Sequence, residues 1–363
     1  MNSRIWLKKG RLDKMALRKL ALFPATKNTC AVARFASSLA DYELVELFAP
    51  SFLRLDGLDV AQVDGGPSAQ FAISDFSLEK LLGCDVIYIE YDVCLSDLEV
   101  YQDIVSHAEN MGKEVVLSHQ LSQKLYRLTF ETVPINEEML YDIPVPVIAL
   151  LPHGLYTGQF AMELALRRHF SDRGHKVAQI GSCEAASFFG FETIPSFMHS
   201  SCDAYYKTIA FNHYVREMVR TTKPDLLIIA SHDPIMRYSN KVLSGLGVQP
   251  YIMCNAVRPD AAIVSLHHGT YAKDFLESVS HYCHYHLGCP AKYFNISNVF
   301  SSPDPENDSK LDYLTVESTF TLNNIRQEME QDGIVLFTAL IEGSAAHAYA
   351  MLESELEENI QTL

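Results

Sequence analysis

The passage of this chain best equipped for chemistry is Val145-Pro-Val-Ile-Ala-Leu-Leu-Pro-His-Gly-Leu-Tyr-Thr-Gly-Gln-Phe-Ala-Met-Glu-Leu-Ala-Leu-Arg-Arg-His-Phe. A run of buried-strand character leads into a short loop holding Gly154, Thr157 and Gly158. The loop opens a helix with apolar residues at Phe160, Leu164, Leu166 and Phe170. That is the layout of a P-loop, in which backbone N–H groups and a helix N-terminus cradle phosphates. Its chemistry needs Lys to reach the β- and γ-phosphates and Ser or Thr to hold Mg²⁺. Here those positions are Gln159 and Phe160, and His153 stands where the first Gly belongs. Gln carries no charge and Phe cannot ligate a metal, so the motif is degenerate. It reads as a tight strand-to-helix turn without ligand, or as a retained anion site on Gly154, Thr157, Gly158 and Gln159. A nucleotide or other phosphate-bearing molecule is then the one cofactor suggested.

A second group lies at Ser231-His-Asp-Pro, where a strand ends. Open α/β sheets bind ligands at such ends, and His232 and Asp233 could move a proton between them as an acid/base pair; a plain turn before Pro234 is the other reading. Asn255, expected just past a neighbouring strand over 251–254, could join the same crevice. His267 and His268 follow a strand, and because adjacent strand residues point to opposite faces only one can look into it; His268 is the candidate carried forward. Lys27, between the first strand and first helix, could draw an anion, with Arg34 and Asp64-Gly65-Gly66 as weaker candidates. His281-Tyr-Cys-His-Tyr-His-Leu-Gly-Cys is the densest set of metal-capable side chains, yet its spacing matches no zinc module. No metal site is expected, and no Ser-His-Asp or Cys-His nucleophile can be recognised from spacing.

From Leu20 onward, short apolar runs alternate with amphipathic segments, the pattern of an α/β fold with a mainly parallel sheet. Strands are expected at 20–23, 44–48, 86–89 and 114–117, and helices at 29–40, 77–82 and 98–110, forming a Rossmann-like domain over 20–142. Pro134, Pro144, Pro146 and the acidic pair Glu137-Glu138 mark a linker. A degenerate P-loop NTPase-like α/β domain over 143–363 follows. Its strands are expected at 145–151, 176–180, 225–230, 251–254 and 261–266, and its helices at 158–171, 205–221, 272–284 and 321–331. The run 334–340 fits strand or helix, and a C-terminal helix spans 345–358 with Glu353, Glu355, Glu357 and Glu358 read as a solvated face.

The 363 residues carry 29 Lys and Arg against 45 Asp and Glu, a net charge of −16. That balance argues against a nucleic-acid or anionic-lipid surface, which needs cations to displace counterions. The apolar runs are strand-sized, well short of the roughly 18–20 residues of a membrane span. Neither nucleic acid nor a membrane is expected as a partner. Eight Cys without a CxxC pair read as reduced thiols in a cytoplasmic protein. Residues 1–19 carry Arg4, Lys8, Lys9, Arg11, Lys14, Arg18 and Lys19 against Asp13 alone. They lack the apolar core of a secretory signal and are expected to form a disordered arm, or to be untranslated with Met15 as the start.

Gly158-Gln-Phe-Ala-Met-Glu-Leu-Ala-Leu-Arg-Arg, Gly174-His-Lys-Val-Ala-Gln-Ile-Gly-Ser and Phe188-Phe-Gly-Phe resemble the P-loop domain of the DUF1611 family. That resemblance implies small-molecule chemistry such as amino-acid N-acylation, but members keep the Lys that this chain lacks, so their activity does not carry over. Phe23-Pro-Ala-Thr-Lys, Ala33-Arg-Phe-Ala-Ser-Ser-Leu, Asp64-Gly-Gly, Ser74-Asp-Phe, Gln179-Ile-Gly-Ser, Phe189-Gly-Phe, Pro195-Ser-Phe-Met, Phe211-Asn-His-Tyr-Val and Asn255-Ala-Val-Arg-Pro-Asp resemble, in order, the clostridial peptide maturation system proteins. Those are encoded beside radical-SAM enzymes and small precursor peptides of ribosomal natural products. The resemblance implies an accessory protein that binds a precursor peptide or a modifying enzyme, and a homodimer is compatible with it. The alternative is an enzyme acting on the peptide or a small molecule, with an anionic or nucleotide ligand on the loop and His232 and Asp233 transferring protons.

Overall fold

The structure, a computed structural model, describes residues 16–361 apart from 93, 94, 96, 127, 129, 131, 136, 308, 326–329 and 332. The basic arm therefore lies almost wholly outside the described residues. Two parallel sheets organise the chain. The first is built from β1 (Arg18–Phe23), α1 (Lys27–Arg34), β2 (Tyr42–Ala49), α2 (Ala61–Asp64), β3 (Ser74–Asp75), α3 (Leu78–Leu82), β4 (Val86–Ile89), α4 (Leu98–Asn110), β5 (Glu114–Leu117) and α5 (His119–Leu125). Its strand order is β3-β2-β1-β4-β5, all parallel. This is the Rossmann-like order, whose direction reverses between β1 and β4.

The second sheet starts with β6 (Val147–Pro152), α6 (Gln159–Asp172), β7 (Val177–Gly181), β8 (Glu192–Thr193), α7 (Ala204–Thr222), β9 (Leu226–Ala230), α8 (Val248–Val257), β10 (Ala261–Leu266), α9 (Lys273–Tyr282) and β11 (Ala291–Ile296). The ribbon β12 (Val299–Pro303) and β13 (Leu311–Thr315) comes next. It is followed by α10 (Ser318–Ile325), β14 (Glu330–Gln331), β15 (Ile334–Phe337) and α11 (Glu342–Gln361). The order is β14-β15-β11-β10-β6-β9-β7-β8, parallel except at β14. The α/β class expected from the alternation is the one the chain adopts.

Several local expectations are corrected. Residues 251–254 are not a strand: they lie inside α8, where Ile252, Met253 and Cys254 are buried. A four-residue apolar run fits a strand or a buried helix equally well, and here packing on α7 decides. The segment 321–331 divides between α10 and β14, with residues between them undescribed, and 334–337 is a strand. β11 escaped notice because Lys292 interrupts its apolar run, the lysine pairing outward with Glu355. Glu353 is not on a solvated face: its carboxylate pairs with Arg173 Nε at 3.1 Å and meets His169 and His175 at 3.3 and 3.0 Å, closing α11 on α6.

The two sheets share a core through α6. Met162, Leu166 and Phe170 pack with Ile148, Ile228 and Ile263 of their own sheet. Phe160, Ala161 and Leu164 pack with Leu20, Val32 and Leu47 of the first. Phe188 adds edge contacts from its ring to Tyr42 at 5.0 Å and Tyr88 at 5.7 Å. Polar ties run beside them: Lys27 Nζ donates to Asn298 Oδ1 at 3.1 Å, and Asn298 Nδ2 to the Asp64 carbonyl at 2.6 Å. Replacing Phe188 by Ala removes an aromatic buried between the sheets and is expected to cost about 3–5 kcal/mol, read as a lower midpoint in urea denaturation. A loss below about 1 kcal/mol would show that this packing does not hold the units together.

Candidate functional site

Gly158 takes φ +66° as the residue capping α6. That left-handed geometry costs an L side chain about 1 kcal/mol or more and accounts for the glycine without any ligand. Thr157 is buried and its Oγ1 donates to the Gly154 carbonyl at 3.3 Å, tying the loop to itself. Gln159, in the lysine position, is also buried. Its Nε2 donates to the carbonyls of Leu150 at 3.1 Å and Ser231 at 2.6 Å, so the amide reaches between the ends of β6 and β9. Phe160, in the Mg²⁺-ligand position, is fully buried and its ring meets Phe189 at 6.2 Å.

The second sheet changes direction between β6 and β10, the place where such sheets bind ligands. His267 occupies it. A Cβ added at Gly154 would overlap the His267 ring, and His267 Nε2 lies 2.8 Å from the Leu155 carbonyl. His153, beside it, is held near pKa 4 by burial and by the neighbouring His267, whose own pKa is lowered by burial. The side chains around the loop are thus neutral imidazoles, a poor setting for a polyphosphate. His268 turns onto α10 instead, bonding Thr321 Oγ1 at 3.0 Å and stacking on Phe320, while His267 lies against Gly154. Asn255 belongs to α8, where its Nδ2 donates to the Tyr251 carbonyl at 2.8 Å, and so does not follow a strand into the crevice.

The reversal point of the first sheet is filled in the same way. Glu90, one residue beyond β4, accepts from Thr26 Oγ1 and from Asn28 Nδ2 at 2.7 Å at the start of α1. Burial raises its carboxyl to about 7. Lys27 is spent on the Asp64 carbonyl and Asn298, and burial lowers its pKa to about 8. Arg34 and Asp64 pair with each other, Nη2 to Oδ1 at 2.7 Å, and brace the turn whose Gly65 carbonyl takes the Ser318 N–H.

A further polar group lies just beyond the ends of β5 and β9. The turn 231–233 is clamped by Gln249, whose Oε1 accepts from the His232 and Asp233 N–H groups at 2.8 and 3.1 Å. His232 is exposed; Asp233 is half-buried, and burial raises its carboxyl. Two residues that spacing did not single out sit nearby: the rings of His119, from α5, and His199 stack at 3.6 Å. Burial lowers both pKa values, His199 to about 4, with each also feeling the charge of His232. His119 Nε2 is buried without a hydrogen-bond partner. Eighty residues of chain separate the stacked pair, so no local signal could have joined them.

Among the described residues, the one group of three metal-capable side chains close enough to share an ion is His175, Glu353 and Glu357, with ligand atoms within 4.8 Å of one another. Arg173 already pairs with Glu353 there. The His281–Cys289 run forms no such group: it ends α9 in a wide turn, with Cys283 and Cys289 buried and His286 stacked on Tyr282.

No family model matches the chain, nor does any curated protein sequence. Among solved structures it is similar to a DUF1611 family protein from Anabaena variabilis, with a TM-score of 0.59 at 10% identity over 92% of this chain and 99% of that one. At that identity the likeness shows a shared fold. A pseudomurein peptide ligase type C from Methanothermus fervidus matches at a TM-score of 0.28 and 10% identity, over 70% of this chain and 38% of the other. Chloroplast FtsY from Physcomitrella patens matches at 0.31 and 13%, over 69% and 79%. Neither of these two adds to the fold argument.

Glu163, one turn beyond Gln159, is fully buried and bonded to the Ser182 hydroxyl and to the Ser182 N–H at 3.1 Å. Burial raises its carboxyl from the ordinary 4.5 to about 7. A raised acid stabilises the fold below its unfolded value and loses that contribution as pH climbs through the folded value. Glu163→Gln should therefore match the wild type near pH 5 and exceed it in stability by about 1–3 kcal/mol near pH 8. Parallel denaturation curves with no such divergence would show that the carboxyl is ionised throughout.

Proposed function

We propose that this chain is an accessory protein of ribosomal peptide maturation, which holds a precursor peptide or a modifying enzyme and uses its P-loop-like half as framework. One observation carries the reading. The two positions that would do nucleotide chemistry are Gln159, whose amide is committed to the Leu150 and Ser231 carbonyls, and Phe160, which is buried in the core between the sheets. A hydrated Mg²⁺ at the Phe160 position would be buried among apolar side chains, and a lysine at 159 would lose the two carbonyl bonds that hold the Gln159 amide between β6 and β9. The ordered motifs shared with peptide maturation proteins point the binding role toward a peptide pathway.

The alternative is an enzyme in which His232 and Asp233 transfer protons. It is favoured by the stacked imidazoles of His119 and His199 beside His232. Held neutral, those imidazoles could accept protons. The readings part on one variant: His232→Ala should leave an accessory protein's partner capture intact but abolish an enzyme's conversion of the peptide.

Isothermal titration with ATP and GTP, with and without Mg²⁺, should show no saturable binding up to about 1 mM, and Gln159→Lys should gain no turnover. An immobilised chain should retain a precursor peptide or radical-SAM enzyme from a cluster encoding such a protein. Micromolar Mg²⁺-dependent nucleotide binding, or failure to retain either partner, would sink the accessory reading.

A further inference from the structure

A separate cavity of about 400 Å³ opens between the C-terminal half of α6, the outer side of β7 and the end of α7. Arg167 stands in its wall. Its Nη1 donates to the Val177 carbonyl at 3.0 Å, and its guanidinium lies 4.9 Å from the centre of the Phe191 ring. Among the described residues no carboxylate reaches ion-pair distance of it, and the one influence on its charge is burial, which lowers its pKa. A partly buried guanidinium without a counter-ion is a costly arrangement, and among the described residues one hydrogen bond is made by its five N–H donors.

Gln179, also lining the cavity, is 1% exposed, and its amide lies within reach of the buried Glu163 carboxyl. Lys176 adds a second cation. The one acid in the lining, Glu192, accepts from the Tyr214 hydroxyl at 3.2 Å. In a chain of net charge −16, this is a local reversal of sign.

We propose that this cavity binds a carboxylate, which the free edge of the Arg167 guanidinium grips while the apolar remainder of the ligand rests on Phe191 and Met218. Arg matches carboxylate geometry with paired N–H donors, and such charge-assisted bonds are the strong ones. The sheet edge leaves two sources open. β8 pairs only with Ile180 and Gly181, so the stretch 177–179 has no strand on its outer side. The carboxylate could therefore belong to a free small acid or to an acidic side chain of an extended peptide added along that edge. The site shares no residue with the group of His119, His199 and His232.

The test is isothermal titration of the full chain with three probes. They are succinate, an acetylated and amidated Val-Val-Glu-Val-Val peptide, and the same peptide with Gln at its centre. Saturable binding of succinate or of the Glu peptide is expected, weakened about tenfold or more in Arg167→Met. Arg167→Lys keeps charge and bulk, guards against misfolding and should bind in between. Tighter binding of the Glu peptide than of either succinate or the Gln peptide assigns the carboxylate to a peptide; succinate binding alone assigns it to a free acid. The proposal is overturned if neither acid binds up to about 10 mM, or if affinity is the same in wild type and both variants. Because nucleotide and partner capture are measured separately, failure here leaves the accessory reading standing, and the reverse also holds.

Discussion

The first six residues of α6, Gln159 to Leu164, have no solvent face. One side of the helix is covered by its own sheet and the other by the Rossmann-like unit, so a segment that ordinarily presents a polar rim to a ligand is packed as core. Polar groups on it then favour internal partners or the uncharged form. Gln159 finds two carbonyls at the ends of β6 and β9, while Glu163 finds Ser182 and titrates near neutrality. Arg167, two turns beyond Gln159 on the same helix, finds one carbonyl and an aromatic face. Glutamine suits the first position because its amide donates hydrogen bonds without carrying a charge to be desolvated.

The same constraint explains why both sheets have closed their reversal points. In the first, the carboxyl of Glu90 sits against the start of α1, where an anionic ligand would otherwise be welcome, and burial keeps it partly protonated. In the second, the His267 ring lies across Gly154. Beyond the ends of β5 and β9, His119 and His199 are imidazoles that burial holds neutral. The loop region thus presents hydrogen bonds and aromatic faces where a complete P-loop motif presents a lysine.

How far the residues announced this varies by element. Alternation of apolar runs marks β4, β5, β10 and α4 to the residue, because each is bounded by polar or turn-forming neighbours and its apolar content matches one period. The ribbon of β12 and β13 is half exposed and Ser- and Asp-bearing, so it has no apolar signature. The degenerate motif was legible because Gln159 and Phe160 stand at the two positions where the motif needs lysine and a hydroxyl, which residue type alone reveals. The choice between His267 and His268 was not legible: alternation says that only one faces inward, and the twist and end of β10 decide which.

The sequence by itself settled the α/β class, the order of most elements and the loss of the lysine and the metal-binding hydroxyl, since these follow from local periodicity and from the chemistry of single side chains. Tertiary structure alone decided where Gln159 points, which histidines come together, that Glu353 ties two helices together and that Arg167 stands in a cavity without a counter-ion. The reason is one of range. Periodicity and residue type act over a few positions, whereas burial, ion pairing and pKa depend on groups brought together across tens or hundreds of residues, and neither spacing nor composition encodes which ones will meet.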